Sequence, residues 1–334
     1  MIDVSIIMVC WNSGKFIDDC LNSIYLFTKK YSLEVIVVDN GSADNTIEII
    51  QHNYPNIKLI KAGVNLGFAR ASNLALRVAQ GQYIFLLNPD TSFKSDVIGE
   101  LVRFFDDHPT AGCVGPKIIE KNGEVSSFQV RQPPSLRGVA FTQFGLRKLF
   151  PHSHLFAKEY LPDWDRRTIR EVPSMVGAAL MIPLAVFRQV GELDEQIPMY
   201  FEDLDICARV RALGKQIYIV PSAVLMHIGG MSSELSPVRP LLYAMENGQA
   251  PWLYFRKYGR LLDSSFFTFI ILVSNLIRLP YFLLFYISRI KISTYGDQIR
   301  KNITKSWALV RWSLSNKKSF SKSLSGYFYN VNEK

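Results

Sequence analysis

An α/β fold is predicted, with a Rossmann-like, mostly parallel sheet carrying helices on both faces, and two observations predict it. Between residues 4 and 88, apolar β-rich runs alternate with segments whose apolar residues recur at helical spacing. The strand runs are apolar along their whole length, as strands covered on both faces are. With 334 residues, 48% of them hydrophobic and 20% charged, the chain suits one large domain plus an appendage.

Residues 4–9 form the first strand, and 14–30 a helix with Ile17, Leu21, Ile24 and Phe27 on one face. Residues 34–38 are a second buried strand, and Asp44 stands where an N-cap would open a helix running to about Tyr54. A strand over 57–61, a helix over 68–79 stopped by Gly81, and a strand over 83–88 complete the alternation. A helix over 94–107 follows, then a hairpin signal at Asn122-Gly123 and a loop-rich stretch over 131–173. The order closes with a strand over 174–182, a short helix over 183–190 with Pro183 in its first turn, a helix over 203–213 ended by Gly214, and a strand over 216–220 leading to His227. Sheets of this kind bind ligands beyond the carboxyl ends of their strands. Asn12, Asp39 and Asn88-Pro89-Asp90 all fall at those ends.

The net charge of +9 is uneven: residues 251–334 hold 14 of the 38 Lys and Arg but 3 of the 29 Asp and Glu. Basicity therefore belongs to the tail. Residues 266–287 are strongly apolar but interrupted by Asn275, Arg278 and Pro280. A spanning helix needs about 20 mostly apolar residues and a central arginine is costly, so a re-entrant or interfacial helical hairpin is expected over a true span. Downstream, Ile299, Ile303, Trp307, Val310 and Leu314 repeat at helical spacing beside Arg300, Lys301, Lys305 and Arg311, as in a helix lying on an anionic membrane. A solvated helix packed on its own domain is the plainer alternative. No recognised nucleic-acid module accompanies the basic residues, so nucleic acid is not expected as a partner. Cys10, Cys20, Cys113 and Cys207 sit singly in apolar runs, which reads as buried thiols in a reducing compartment. The first residues lack the basic region of a secretory signal, which points the catalytic part toward the cytoplasm.

Three segments carry chemistry. Asp39, directly after a buried strand, can accept hydrogen bonds from a pyrimidine N–H or a ribose hydroxyl, and Gly41 permits the tight turn that follows. A turn with a helix cap explains Ser42 and Asp44 equally well. Gly63-Val64-Asn65-Leu66-Gly67 joins a strand to a helix and lets a nucleotide approach the backbone, although many loops hold two glycines. Asp90 in Asn88-Pro89-Asp90 is held at the sheet edge, where a hard divalent ion bridging two phosphates needs oxygen ligands; the same tripeptide also suits a plain turn.

Taken in order, these segments resemble glycosyltransferase family two, of GT-A fold, and within it the bacterial rhamnosyltransferases of cell-surface polysaccharide synthesis. The resemblance covers about residues 3–230. It rests on Cys10-Trp11-Asn12, Val38-Asp39-Asn40-Gly41-Ser42, Asn65-x-Gly67-Phe68-Ala69 with Asn73, Asn88-Pro89-Asp90, Gly177-Ala178, Gly191-x-x-Asp194-Glu195 and Tyr200-Phe201-Glu202-Asp203-x-Asp205. It implies a catalytic domain over 1–230, with a nucleotide-sugar half to about 117 and an acceptor half beyond, and a helical, basic, membrane-associated region over 231–334. A nucleotide-sugar donor, dTDP-rhamnose or a UDP-sugar, would be held by Trp11, Asn12, Asp39, Asn65, Gly67 and Asn88. Mg²⁺ or Mn²⁺ would be held by Asp90 and His227. Asn88 stands where the usual Asp-x-Asp has its first aspartate, which leaves Asp90 as the motif's only carboxylate.

Asp203 is expected to be the general base, because a carboxylate is ionised at neutral pH and needs only hydrogen-bond reach of the acceptor hydroxyl. Glu202 and Asp205 are as acidic, and either aspartate also suits the positive end of the following helix. His227, 24 residues after Asp203, matches the family's spacing, although a lone histidine is more often structural. The expected partners are the donor, a lipid-linked saccharide acceptor and the cytoplasmic face of the inner membrane, with a second copy of the chain left open. The rival readings are a different donor, a non-catalytic scaffold of glycan assembly, and a nucleotidyltransferase, the last lacking a lysine-bearing Gly-rich loop near the first strand.

Overall fold

A computed structural model describes residues 2–126, 129–130, 132–150, 153, 155–156, 164–197, 199–228, 239–289, 293–318 and 320. The first half alternates as expected: β1 (Val4–Cys10), α1 (Ile17–Phe27), β2 (Leu33–Asp39), α2 (Thr46–Asn53), β3 (Lys58–Lys61), α3 (Phe68–Leu76) and β4 (Tyr83–Leu87). Then come β5 (Thr91–Phe93), α4 (Val97–Asp107), β6 (Ala111–Ile119), α5 (Leu136–Gln143), α6 (Leu146–Leu149), β7 (Arg170–Glu171), β8 (Ala179–Pro183), α7 (Leu184–Val190), α8 (Glu202–Ala212) and β9 (Gln216–His227).

The sheet runs β3-β2-β1-β4-β8-β6-β9-β5, with β7 on β9. β1, β2, β3 and β4 pair in parallel. β8 runs against both β4 and β6, so β6 shares the direction of β4, and β9 is parallel to β6. Six strands therefore point one way and end at one edge of the sheet. The exceptions are β8 and the short flanking strands β5 and β7, both antiparallel to β9.

Period-two alternation divides each central strand between two cores. Val4, Ile6 and Met8, with Val35, Val37, Phe85 and Leu87, pack under α1, α2 and α4. Ile7, Ile36, Val38, Ile84 and Leu86 pack under α3, α7 and α8. Both sets are apolar because both faces are covered, which is why the runs do not alternate in sequence.

Two strands escape a purely sequential reading. β6 contains Gly112, Gly115 and Pro116, residues that normally demote a strand. Here the glycines admit close neighbours: a Cβ on Gly112 would lie 2.5 Å from Lys215 Cβ, and one on Gly115 would lie 3.0 Å from the Ala179 carbonyl oxygen. β9 is expected to stop before Pro221 but continues to His227, because its register on β6 jumps from Val220 to Val224 and lets Pro221 bulge out of the ladder. The stretch expected to be loop-rich holds α5 and α6, with Ser135 Oγ capping α5 by accepting the Gly138 N–H at 3.0 Å.

After the sheet come α9 (Arg239–Ala244), a π-helical turn over Met245–Gln249, α10 (Ala250–Tyr258), α11 (Asp263–Arg289) and α12 (Ser293–Leu314). The hairpin expected within 266–287 is not formed: α11 passes through Pro280 as one helix. Tertiary contacts override the interruptions. Arg278 turns inward and donates to the Gln143 side chain and carbonyl at the end of α5, while Phe267 and Ile271 pack on Leu309 and Trp312 of α12. Trp312 lies against Gly248 and donates through Nε1 to Gln249 Oε1 at 2.9 Å.

Candidate active site

Two clusters form at the edge where the parallel strands end. The first joins the loops after β1, β2 and β3. Asn12, at φ +51°, accepts the Ala43 N–H on its side-chain oxygen at 2.8 Å and donates its own N–H to Ser42 Oγ at 3.0 Å. The Ser13 N–H donates to Thr46 Oγ1 at 2.8 Å and the Gly14 N–H to Asp44 Oδ2 at 2.9 Å. The N-cap of α2 is Asn45 and not the expected Asp44, which accepts the Thr46 N–H at 3.1 Å and also pins the β1 loop. Asn12 acts here as a clamp between loops. Trp11 beside it is half-buried.

Asp39 is buried at the end of β2. Its Oδ2 accepts the N–H groups of Gly41 and Ser42, both at 3.2 Å, whereas Oδ1 is buried without a hydrogen-bond partner. A buried carboxylate oxygen left unpaired costs free energy that an incoming N–H or O–H donor recovers. Gly41 sits at φ +79°, and a Cβ there would press on the Val64–Asn65 backbone at 3.0–3.2 Å, so a side chain is excluded twice.

Asn65 is buried, and its Oδ1 accepts from Asn40 Nδ2 and the Gly67 N–H, each at 3.0 Å, while Asn40 Oδ1 accepts the Leu66 N–H at 2.7 Å. Asn40 is the residue sequence reasoning passed over. Its position inside Asp39-Asn40-Gly41 was visible, but its bond to a loop 25 residues away was not. Asn65 and Gly67 shape the loop through these bonds, with Gly67 at φ +77° opening α3. Asn73 and the Gly191-to-Glu195 segment are also tied together. Asn73 exchanges two 3.0 Å hydrogen bonds with the Leu193 backbone and donates to Glu195 at 3.2 Å. Those motif residues dock α3 on the second half of the chain.

The second cluster gathers residues far apart in sequence. The register of β5 on β9 sets Thr91 opposite His227, which leaves Asp90 beside the imidazole. His227 Nε2 lies 3.2 Å from Asp90 Oδ1, and the Asp90 carbonyl accepts the Ile228 N–H at 3.0 Å. Adjacent ligands of one octahedral ion with metal–ligand lengths of 2.0–2.2 Å stand about 3 Å apart, so the pair fits a shared Mg²⁺ or Mn²⁺. Among the described residues no group of three His, Cys, Asp or Glu gathers to hold a metal. An ion held by one carboxylate and one imidazole would leave its remaining positions to substrate phosphates and water. A cavity of about 700 Å³ has Asp90, Phe93, Lys94 and Met226 in one wall and α1 residues, Phe16 to Phe27, in the other.

Asn88 enters mainly through its backbone. Its N–H donates to the Ala178 carbonyl at 2.9 Å, and its carbonyl accepts Thr91 Oγ1 at 2.7 Å. One residue back along that antiparallel partner, the Gly177 N–H donates to Asp203 Oδ2 at 2.9 Å. A single dipeptide, Gly177-Ala178, thus bridges the end of β4 to Asp203. A Cβ on Gly177 would meet Asp203 Cβ at 3.3 Å, which is the physical use of that glycine.

The three acidic residues of the 202–205 segment separate by environment. Asp205 is fully buried and bonded to Arg209 at 2.8 Å, Lys257 at 2.7 Å and the Tyr258 hydroxyl at 2.6 Å. Glu202 is buried as well, and Asp203 alone keeps partial exposure. Tyr200 and Phe201 precede them at φ +62° and +68°, two consecutive left-handed non-glycine residues. Each costs on the order of 1–2 kcal/mol, a strain characteristic of functional segments.

Residues 5–163 match the family model described as Glycosyl transferase family 2. The chain carries a family 2 glycosyltransferase domain. Curated relatives bear out the enzyme class. The chain is 28% identical over 249 residues, 71% of its length and 79% of the relative's, to the N-acetylglucosaminyl-diphospho-decaprenol L-rhamnosyltransferase of Mycobacterium tuberculosis. It is 29% identical over half its length to the poly-beta-1,6-N-acetyl-D-glucosamine synthase of Staphylococcus epidermidis, of which it covers 43%. The fold is that of GT-A glycosyltransferases. The mannosyltransferase of Pyrobaculum calidifontis, solved with GDP-Man and Mn²⁺, superposes at a TM-score of 0.52 with 16% identity, over 93% of this chain and 86% of that one. S. aureus TarS residues 1–349, solved with UDP-GlcNAc, superposes at 0.51 with 14% identity, over 96% and 92%. The chain covers 52% of GalNAc-T7, solved with UDP, GalNAc and Mn²⁺, at a TM-score of 0.53 and 16% identity.

Proposed function

We propose that this glycosyltransferase transfers L-rhamnose from dTDP-rhamnose, with inversion, to a polyprenyl-diphosphate-linked saccharide at the cytoplasmic face of the membrane. The approach of Asp90 to His227 at 3.2 Å, with Asp203 tied through Gly177-Ala178 to the backbone of Asn88, carries the mechanism. The choice of sugar and acceptor is supported by the mycobacterial N-acetylglucosaminyl-diphospho-decaprenol L-rhamnosyltransferase. The domain reading, catalytic over 1–230 and membrane-associated beyond, belongs to the same proposal.

The unpaired Oδ1 of Asp39 takes an N–H of the base, while the Asn12 and Asn40 clamps keep the loops after β1, β2 and β3 in one arrangement. Asp90 and His227 would hold Mg²⁺ or Mn²⁺ against the donor diphosphate. When bound, that ion neutralises the charge growing on the leaving group. Asp203 Oδ1 or Oδ2 accepts the acceptor hydroxyl proton as that oxygen bonds to the anomeric carbon and the carbon–oxygen bond to the diphosphate breaks. Attack opposite the leaving group inverts the centre, and the nucleoside diphosphate departs.

A second reading, a UDP-hexose donor, is favoured by the poly-N-acetylglucosamine synthase relative. Incubating the full chain with Mn²⁺, a polyprenyl-diphosphate saccharide and either labelled dTDP-rhamnose or UDP-sugars decides between them. Label entering lipid from dTDP-rhamnose supports the first reading; label only from a UDP-sugar supports the second. Donor binding without transfer to any acceptor would favour a scaffold.

A further inference from the structure

α11 is 27 residues long, about 40 Å at 1.5 Å per residue, and among the described residues it is the helix long and apolar enough to cross a membrane. Its two faces differ sharply. Phe266, Phe269, Ile277, Tyr281 and Leu284 are each more than half exposed. At 3.6 residues per turn these fall within an arc of about 120°. Phe267, Ile271, Ser274 and Asn275 are buried, and with Arg278 they occupy a separate arc of about 100°.

Ser274, Asn275 and Arg278, which interrupt the apolar sequence, are therefore on the protein side. Arg278 is held by Gln143, Ser274 Oγ donates to the Ile271 carbonyl at 3.1 Å, and Asn275 Nδ2 donates to the same carbonyl at 2.8 Å. Beyond Asp263 in the first turn the outer arc carries no charge, and no Asp or Glu occurs between residues 264 and 296. Leu261 and Leu262 extend the exposed strip past the helix start, next to exposed Arg256 and Arg260. Phe144, beside Gln143, and Leu149 and Phe150 add exposed apolar surface at α5 and α6.

We infer that α11 is a monotopic docking face: it lies in the plane of an anionic bilayer with Phe266, Phe269, Ile277, Tyr281 and Leu284 in the acyl boundary. This deepens the membrane-surface part of the proposed function and rests on it. Charge selects the occupant. Residues 251–334 carry 14 basic and 3 acidic residues, so two copies apposed through this face would repel, whereas anionic headgroups attract it. Arg300, Lys301 and Arg311 of α12, the helix packed on α11, are exposed and supply cations, with Arg300 donating to the Tyr286 hydroxyl of α11 at 2.8 Å. Packing selects the orientation. A span would surround α11 with lipid and strip Arg278 from Gln143, leaving a charge in the bilayer, whereas docking wets one arc and keeps the other on the protein.

The test is flotation of the full chain with phosphatidylcholine vesicles, with and without phosphatidylglycerol. Partitioning is expected with the anionic vesicles and is expected to fall about tenfold or more in Phe266→Glu/Phe269→Glu and in Ile277→Glu, since each removes roughly a full apolar side chain from the boundary. Arg300→Gln/Lys301→Gln is expected to lower binding to anionic vesicles alone. Circular dichroism and donor-induced thermal stabilisation of the variants are expected to match the parent, which separates failed docking from a failed catalytic reading. Parent-like flotation of the glutamate variants overturns the inference. So does a dimer in sedimentation that those variants dissociate, or labelling of cysteines placed at the two ends of α11 from opposite sides of the vesicle.

Discussion

Two aspartates, two positions apart on one helix, should fail in different ways. Asp203 is partly exposed and accepts backbone N–H groups from Gly177 at 2.9 Å and Leu204 at 2.8 Å. Asp203→Asn keeps an oxygen for Gly177 but loses the bond from the Leu204 N–H, so folding is expected to weaken by only about 1 kcal/mol. A positioned general base contributes about 10²–10⁴ in rate, which is roughly 3–5 kcal/mol of barrier, so turnover should drop by that factor with donor affinity intact. Asp205 is the reverse case. It is fully buried among Arg209, Lys257 and Tyr258, and breaking a buried ion pair typically costs about 3–5 kcal/mol. Lys257 is 36% exposed and Arg209 20%, so solvent screening brings the expectation for Asp205→Asn down to about 2 kcal/mol. Urea denaturation measures the second effect, and single-turnover transfer at matched folded fraction measures the first. A fully folded, inactive Asp205→Asn alongside an Asp203→Asn as fast as the parent would refute the assignment of the two roles.

Four further outcomes are expected. Asp90→Asn and His227→Ala should each abolish thermal stabilisation by Mn²⁺ with nucleotide diphosphate while leaving the unliganded melting temperature close to the parent's, as read by a melting curve. Asp39→Asn should weaken nucleotide binding roughly tenfold or more, about the net worth of a hydrogen bond to a charged group, as read by calorimetry. The Lys257 clamp should show in a pH profile. Burial alone would lower Lys257 and raise Asp194, but their mutual hydrogen bond, and for Lys257 that to Asp205, outweigh it, holding Lys257 above and Asp194 below their ordinary values. Asp194's contribution is then full above the unfolded value near 3.9 and is lost as pH falls through its lowered value. That of Lys257 is full below about 10.4 and is lost as pH rises through its raised value. Lys257→Met should flatten both flanks of the urea midpoint against pH. Finally, burial holds the Cys20 thiol at a pKa of about 12, leaving roughly one part in ten thousand as thiolate at pH 8, so iodoacetamide should label it only after unfolding.

The alternation of the first 88 residues was legible because apolar runs buried on both faces leave no choice of period, and Gly67, Gly81 and Asp44 mark starts and stops. The order of motifs likewise named the residues at the strand ends. β6 was hidden by Gly112, Gly115 and Pro116, whose use is set by Lys215 and Ala179 from distant segments. The end of β9 was hidden by Pro221, which only the register jump on β6 makes tolerable. The interruptions of α11 suggested a hairpin because sequence cannot say which face a residue takes; Gln143 resolves Arg278. The side-chain oxygens of Asn12 and Asn65, both expected at the donor, also clamp loops, through partners 31 and 25 positions away that local sequence does not reveal.

Sequence alone determined which residues end strands, how many carboxylates stand near residue 203, and where the positive charge lies, because these follow from local pattern and composition. Tertiary structure decided that Asp90 meets His227, that Asp205 is bound to Lys257 and Tyr258, and that Arg278 of α11 faces inward. Each of those outcomes depends on a partner between 50 and 140 positions away, and only packing can bring such partners within hydrogen-bond reach.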